Sequence, residues 1–365
     1  MNIKYYPELQ EIEDHKSYLP SISFILPLKA FDRSDKSFLK LLKIKLDELE
    51  RKLAESYDED LVSNLMIKFE IILKDLKPEK FKLGIAIFVS PEFQKIYYLD
   101  FEPEEKLVIG DSFEIRDLIY SQSLTKNAIL LLLSANEIRY FLYSNNSLTK
   151  LIVDVPLKIE AFMENTLHDV AIYYEKNDRR EKAMHLLLDN ADKGLGMVLQ
   201  SYDHDVIVTG SDKMIAHFKK ISHHNRAVKA FLPGNYFEKA QSELIRLVQV
   251  SLNNIREDEE KALIQSLEIY NNNQMLAIGL NDVWKQSAIK NCQLLVVEKN
   301  YRKAAVLKAF KTEIFTHDLD ADPMPMQDVV DDVIENVISA GGKVLFVDDD
   351  KLLDYRHIVL VKNYV

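Results

Sequence analysis

Histidines come first, because an imidazole titrates near neutral pH and binds metals. Nine occur, and five of them (His185, His204, His217, His223 and His224) fall within one stretch of the chain. His217 and His224 are seven positions apart and share a helix face only if the helix runs that far. Zinc needs three or four converging ligands, and no spacing here follows a zinc pattern. The plainer reading is a polar helix end, where Lys and His interact favourably with the helix dipole. Asp203-His204-Asp205 offers a hydrolase a base beside a carboxylate. His168-Asp169 is a pair only in sequence; adjacent side chains diverge, and no Gly-x-Ser-x-Gly turn accompanies it. Cys292 is the single cysteine, so no intramolecular disulfide and no cysteine-rich zinc site can form. It opens an apolar strand, which predicts a buried, inert thiol.

Other constellations are weaker. Gly194-Leu195-Gly196 is a lone G-x-G with neither a third glycine nor a preceding strand, so it reads as a capping or flexible pair near a helix end and not as a phosphate loop. Asp318, Asp320 and Asp322 alternate and Asp348, Asp349 and Asp350 are consecutive, but the glycine and distant Glu of a calcium loop are missing. No cofactor or metal is expected from these patterns. Charge distribution says more. From Glu313 to Asp354 there are twelve acids against two lysines, whereas from Lys176 to Lys229 ten Lys and Arg face seven acids, with the five histidines added. The densest basic stretch is Lys219-Lys220 with His223-His224-Asn225-Arg226. Together with Lys213 and Lys229 it forms a candidate RNA-phosphate patch; its plainer reading is a solvated face.

The elements that would position these residues follow from periodicity. Ser21 to Leu28 reads as a strand, and two helices follow at about 34–57 and 59–76, with Leu42, Leu46, Leu49 and Leu53 on one face. Apolar runs at 83–89 and 95–101 flank a Ser90-Pro91-Glu92 turn. Residues 128–133, 137–143 and 148–153 read as a three-strand meander. A helix at 178–199, a strand at 205–209, a helix to about 223 and a strand at 228–232 come next, then a long helix at about 237–270. The end of the chain reads helix, strand, helix, strand, strand, at 279–291, 293–298, 326–340, 343–347 and 358–361, with a loop at 316–325. Strands alternating with helices predict an α/β (α+β) protein. Three modules are expected, at 1–124, 125–250 and 251–365.

Composition narrows the class. The 365 residues carry 47% hydrophobic and 29% charged side chains, an ordinary globular balance. Asp and Glu outnumber Lys and Arg, 58 to 47, and the net charge of -11 repels phosphate backbones on average, so any nucleic acid must meet a local basic patch. The N-terminal residues lack the pattern of a signal peptide, and the longest apolar run, Ala128 to Leu133, is far short of the roughly 20 residues that span a bilayer. A cytoplasmic protein with no membrane partner is expected.

The order of segments resembles a known family. Ala128 to Val153 (AILLLLSANEIRYFLYSNNSLTKLIV) is similar to the first hairpin of the middle domain in the bacterial branch of the archaeo-eukaryotic peptide-chain release factor and Pelota superfamily. Asp205 to Phe218 (DVIVTGSDKMIAHF) resembles its strand, glycine and helix, and Ala230 to Phe237 (AFLPGNYF) its next strand and Gly-Asn turn. Val329 to Tyr364 is similar to the last domain: a helix, Gly-Gly, the strand KVLFV, an acidic loop and a closing strand. The likeness covers about residues 125–365. It implies a ribonuclease-H-like middle domain and a last domain built like the kink-turn-binding ribosomal proteins. Release factors of the family carry a Gly-Gly-Gln tripeptide that places water against peptidyl-tRNA. This chain contains none, so that hydrolysis is not carried over. Pelota also lacks it and acts on stalled ribosomes.

The expectation is therefore a non-hydrolytic, ribosome- or RNA-associated factor in translation termination or rescue. Lys213, Lys219, Lys220, His223, His224, Arg226 and Lys229 would face structured RNA, and the acidic last module a protein partner. Two rivals stand beside it: a hydrolase using His204 with Asp203 or Asp205, or a metal on His217 and His224; and a protein-interaction scaffold without RNA.

Overall fold

A computed structural model describes residues 12, 19–28, 36–76, 82–124, 126–163, 176–303, 306–307, 314–315 and 328–363. In chain order, β1 (Ser21–Pro27) leads to α1 (Lys36–Ala54), α2 (Glu59–Asp75), β2 (Gly84–Val89), β3 (Gln94–Leu99), β4 (Lys106–Gly110) and α3 (Arg116–Leu124). Next come β5 (Ala128–Leu133), β6 (Ile138–Ser144), β7 (Ser147–Leu151), α4 (Lys176–Ser201), β8 (Asp205–Gly210), α5 (Asp212–Ile221) and β9 (Val228–Pro233). The rest is α6 (Gln241–Asn272), β10 (Leu276–Ile278), α7 (Leu280–Ala288), β11 (Leu294–Glu298), β12 (Val306–Leu307), β13 (Ile314–Phe315), α8 (Val329–Ser339), β14 (Lys343–Val347) and β15 (Ile358–Val361). The fold class is α/β, as expected. Residues 126–261 form one compact unit; residues 1–125 and 262–365 together form the other.

The middle unit is built on a five-stranded sheet in the order β7-β6-β5-β8-β9. Its first three strands are an antiparallel meander, and β5, β8 and β9 run parallel. Asn145 and Asn146, both at positive φ, make the two-residue turn between β6 and β7, the turn chemistry that a right-twisted hairpin favours. β5 (AILLLL) is apolar throughout because both of its faces are covered. Ile129, Leu131 and Leu133 meet Leu187, Leu188, Ala191 and Leu195 of α4 and Met214 and Phe218 of α5. Ala128, Leu130 and Leu132 meet Leu244, Val248 and Leu252 of α6.

The other unit holds two four-stranded sheets, β3-β2-β1-β4 and β10-β15-β11-β14. One face of the first is covered by α1 and α2, through Leu42, Leu46, Leu49, Leu53, Leu65 and Phe69 against Ile22, Phe24 and Leu26. On its other face Ile25, Ala86 and Phe88 share a core with Val283, Leu295, Val297, Val333 and Val337 from the end of the chain. A buried polar network joins the same two stretches. Arg116, 1% exposed, donates to the Asp328 carboxylate at 3.2 Å and to the carbonyls of Glu298 and Lys299 at 3.1 and 3.0 Å. The backbone N–H of Arg116 donates to Asp331 at 2.9 Å, and Lys106 pairs with Asp117 at 2.6 Å. Carboxylates outnumber cations there. Burial, reinforced by Asp328 and Asp117 against the pull of Lys106, pushes Glu114 up to about 7. Burial and then Glu335 push Asp332 up to about 6, and burial with Glu114 beside it raises Asp331. Among the described residues no helix is long and apolar enough to cross a membrane.

Candidate nucleic-acid interface

Helix α5 follows from its pattern. Ser211 is the N-cap, its hydroxyl accepting from the Met214 N–H, and Met214, Ile215 and Phe218 turn inward. Lys213, Lys219 and Lys220 are left on the outward face, all exposed. The turn after the helix continues the basic surface. Asn225 donates through Nδ2 to the carbonyls of Lys219 and Ser222, folding the chain back on the helix end, with His223 and Arg226 exposed. Lys229 stands on β9, an edge strand, 3.9 Å from Glu259 of α6. Lys219 lies over the Phe231 ring, 4.2 Å from its centroid. Lys213, Lys220 and Arg226 have no ion-pair partner among the described residues.

His224 differs from the other six. Its Nδ1 is 3.0 Å from Oδ1 of Asp192, a buried residue of α4. That carboxylate also accepts the Ser222 hydroxyl at 2.6 Å and the His223 N–H at 3.0 Å. Burial alone would raise the Asp192 carboxyl; the donors from Ser222, His223 and His224 outweigh it and hold the group below its usual range. One aspartate thus clamps the whole basic turn to α4. The two glycines of α4 fit around this clamp. A Cβ on Gly196 would lie 3.0 Å from Cε1 and Nε2 of His224, and one on Gly194 would lie 2.8 Å from the Tyr140 hydroxyl, which donates to the Ala191 carbonyl. Gly194-Leu195-Gly196 is therefore neither a cap nor a flexible pair: it lies inside the helix, where small residues admit two neighbouring rings.

The same end of the sheet holds an aromatic pair. Tyr202 and His204, in the connection from α4 to β8, have ring centroids 6.1 Å apart. The Val206 N–H donates to the Ala227 carbonyl at 3.0 Å, so this connection and the basic turn lead into neighbouring parallel strands at the same end of the sheet.

The geometry bears on the hydrolytic alternatives. His204 Nδ1 contacts the backbone carbonyl of Asp203 at 3.0 Å, not a carboxylate. His217 stacks on His185 at 4.9 Å while His224 turns to Asp192, so the two are not joint ligands. Ser222, His224 and Asp192 do not make a nucleophile triad, because the serine proton goes to the aspartate and His224 directs its second nitrogen at Gly196. No group of three or more His, Cys, Asp or Glu could hold a metal among the described residues. Cys292 is 3% exposed and burial pushes its thiol up to about 11, which fits an inert side chain. Asp348 pairs with Lys299 at 3.0 Å, and Asp349 accepts from the backbone and side chain of Asn300. His168, Asp169, Asp318, Asp320, Asp322 and the loop at 316–325 lie outside the described residues. Sequence reasoning missed Asp192 and Tyr140, which lie 32 and 54 positions from their partners His224 and Gly194; the G-x-G, read there as a capping or flexible pair, was the one trace of them.

The middle unit is thus an α/β sheet domain with a three-strand meander, two parallel strands and a clamped basic turn. Residues 129–290, somewhat less than half of the chain, match bacterial archaeo-eukaryotic release factor family 3, and over that stretch the likeness read from the sequence holds. No curated protein matches the chain. Among solved structures, an archaeal translation termination factor is 11% identical over 98% of this chain and 97% of its own, with a TM-score of 0.26. Pelota from Archaeoglobus fulgidus is 14% identical over 77% of this chain and 79% of its own, with a TM-score of 0.35. Ribosome-bound archaeal Pelota is 14% identical over 80% and 85%, with a TM-score of 0.42.

Proposed function

We propose that this chain is a cytoplasmic, release-factor-like protein of the translation apparatus that binds the ribosome or structured RNA and does not hydrolyse peptidyl-tRNA. The carrying observation is the set of exposed cations on α5 and the turn after it, within the stretch that matches the release factor family. Lys213, Lys219, Lys220, His223, Arg226 and Lys229 contact phosphates in this reading, and His224 holds the turn against Asp192. Arg226 and the lysines act as charges, so they give affinity rather than sequence choice. The residues at 125–250 serve as the RNA-facing module, and the acidic module at 251–365 meets a protein partner. The absence of a Gly-Gly-Gln tripeptide supports a non-hydrolytic role.

The test is co-sedimentation with ribosomes and filter binding to a structured RNA across a salt series. Binding weakens as salt rises. Replacing Lys213, Lys219, Lys220 and Arg226 by Ala lowers the slope of log K against log salt by roughly 0.7–0.9 for each phosphate that the variant no longer neutralises. Wild-type protein that shows no salt-sensitive binding at low salt removes the proposal.

A further inference from the structure

We propose that the end of the middle sheet where α4 leads into β8 and α5 into β9 holds an unpaired nucleotide of RNA, with its base on His204 and its phosphate on Lys219, Lys220 and Arg226. This deepens the RNA reading and rests on it. Three observations bear on this end of the sheet. Tyr202 packs against the apolar core of the unit, and His204, half-exposed, lies beside it at 6.1 Å between centroids. The Val206 N–H donates to the Ala227 carbonyl where β8 and β9 begin, so the connection that leads into β8 and the turn that leads into β9 enter the same end of the sheet on neighbouring strands. The turn itself is pinned by Asp192 and by Asn225, so its cations are presented on a fixed backbone.

Charge orients the ligand. Asp203 and Asp205 flank His204 in sequence and repel a phosphate, while Lys220 and Arg226 have no ion-pair partner among the described residues. A nucleotide fits with its backbone toward residues 219–226 and its base toward residues 202–204, where the carboxylates are acceptors for exocyclic amino groups. An A-form duplex does not fit this chemistry, because its bases are stacked on each other and leave no face for a side-chain ring. Unpaired bases stack on aromatic side chains at sites of this kind without strong sequence choice.

The full chain is titrated with a labelled single-stranded oligoadenylate of about ten nucleotides and with a blunt RNA duplex of the same length. The single strand binds more tightly, by about ten-fold. His204→Ala weakens single-strand binding by about five-fold or more and leaves duplex binding unchanged, and His204→Phe, which keeps a ring, retains it. If His204→Ala binds the single strand like wild type while Lys219→Ala/Lys220→Ala/Arg226→Ala weakens both ligands, the nucleotide site is wrong and the RNA reading stands. If wild-type protein binds neither ligand in a salt-sensitive way, the RNA reading falls and this site with it.

Discussion

Asp192 concentrates more structural consequence than any lysine of the basic turn. It is buried and accepts three donors, two from side chains and one from the backbone. Asp192→Asn keeps the shape but offers an N–H where a carboxylate oxygen stood, so one donor faces another donor. The expected cost is on the order of 1–3 kcal/mol, read as a lower midpoint in urea. The pH dependence has a definite sign. A carboxyl depressed in the folded state stabilises above its unfolded pKa, and that contribution is lost as pH falls through the folded value. Wild-type protein therefore loses stability on acidification below about pH 4 more steeply than Asp192→Asn does. Gly194 gives an opposing test of helix propensity. Alanine in a helix interior ordinarily gains about 1 kcal/mol over glycine. Here its Cβ meets the hydroxyl of Tyr140, fully buried and bonded to Ala191, so Gly194→Ala lowers the melting temperature instead.

Among the elements, those with strong periodicity were legible in the sequence, and those whose partners are remote were not. The Leu42, Leu46, Leu49 and Leu53 stripe of α1 and the unbroken apolar run of β5 stand where the pattern placed them, because local amphipathicity or burial on two faces leaves a mark in the chain. β4, α3 and β10 were not foreseen: β4 is half-buried at all five positions and shows no alternation, α3 turns the charged Arg116 and Asp117 inward, and β10 has only three residues. The basic turn was visible as a sequence run, but its clamp was not, since 32 residues separate Asp192 from His224. The same limit hid the network around Arg116, whose partners Asp328 and Asp331 come more than 200 positions later. That network makes its own prediction. Glu114, raised to about 7 by burial, binds a proton in the folded state that the unfolded chain has already released between about pH 4.5 and 7. Its contribution is complete below the unfolded value and is lost as pH rises through the folded one. Glu114→Gln, neutral at every pH, flattens the fall in thermal stability that wild-type protein shows from pH 5 to about 7.5.

At the scale of the whole molecule the charge is unevenly shared. Residues 126–261 carry 18 Lys and Arg against 19 Asp and Glu, so -10 of the net -11 belongs to the other unit. Even this near-neutrality of the middle unit depends on one run, Glu257-Asp258-Glu259-Glu260 on α6; without those four acids its balance is +3. Glu259 spends its charge on cations of the same unit, at 2.6 Å from Lys126 and 3.9 Å from Lys229. An anionic molecule repels a polyanion at distances up to the Debye length, about 8 Å at physiological salt, so only cations left unpaired at the surface engage phosphates. Such exposed ion pairs are worth roughly 1 kcal/mol or less, and the fold does not rest on them. Glu259→Gln therefore releases Lys229 and Lys126 without unfolding the unit. In the RNA reading it tightens binding a few-fold at low salt and steepens the dependence of log K on log salt by roughly 0.7–0.9 for each lysine that gains a phosphate. An unchanged affinity and slope would mean that neither lysine faces RNA, and would confine the interface to α5 and the turn after it.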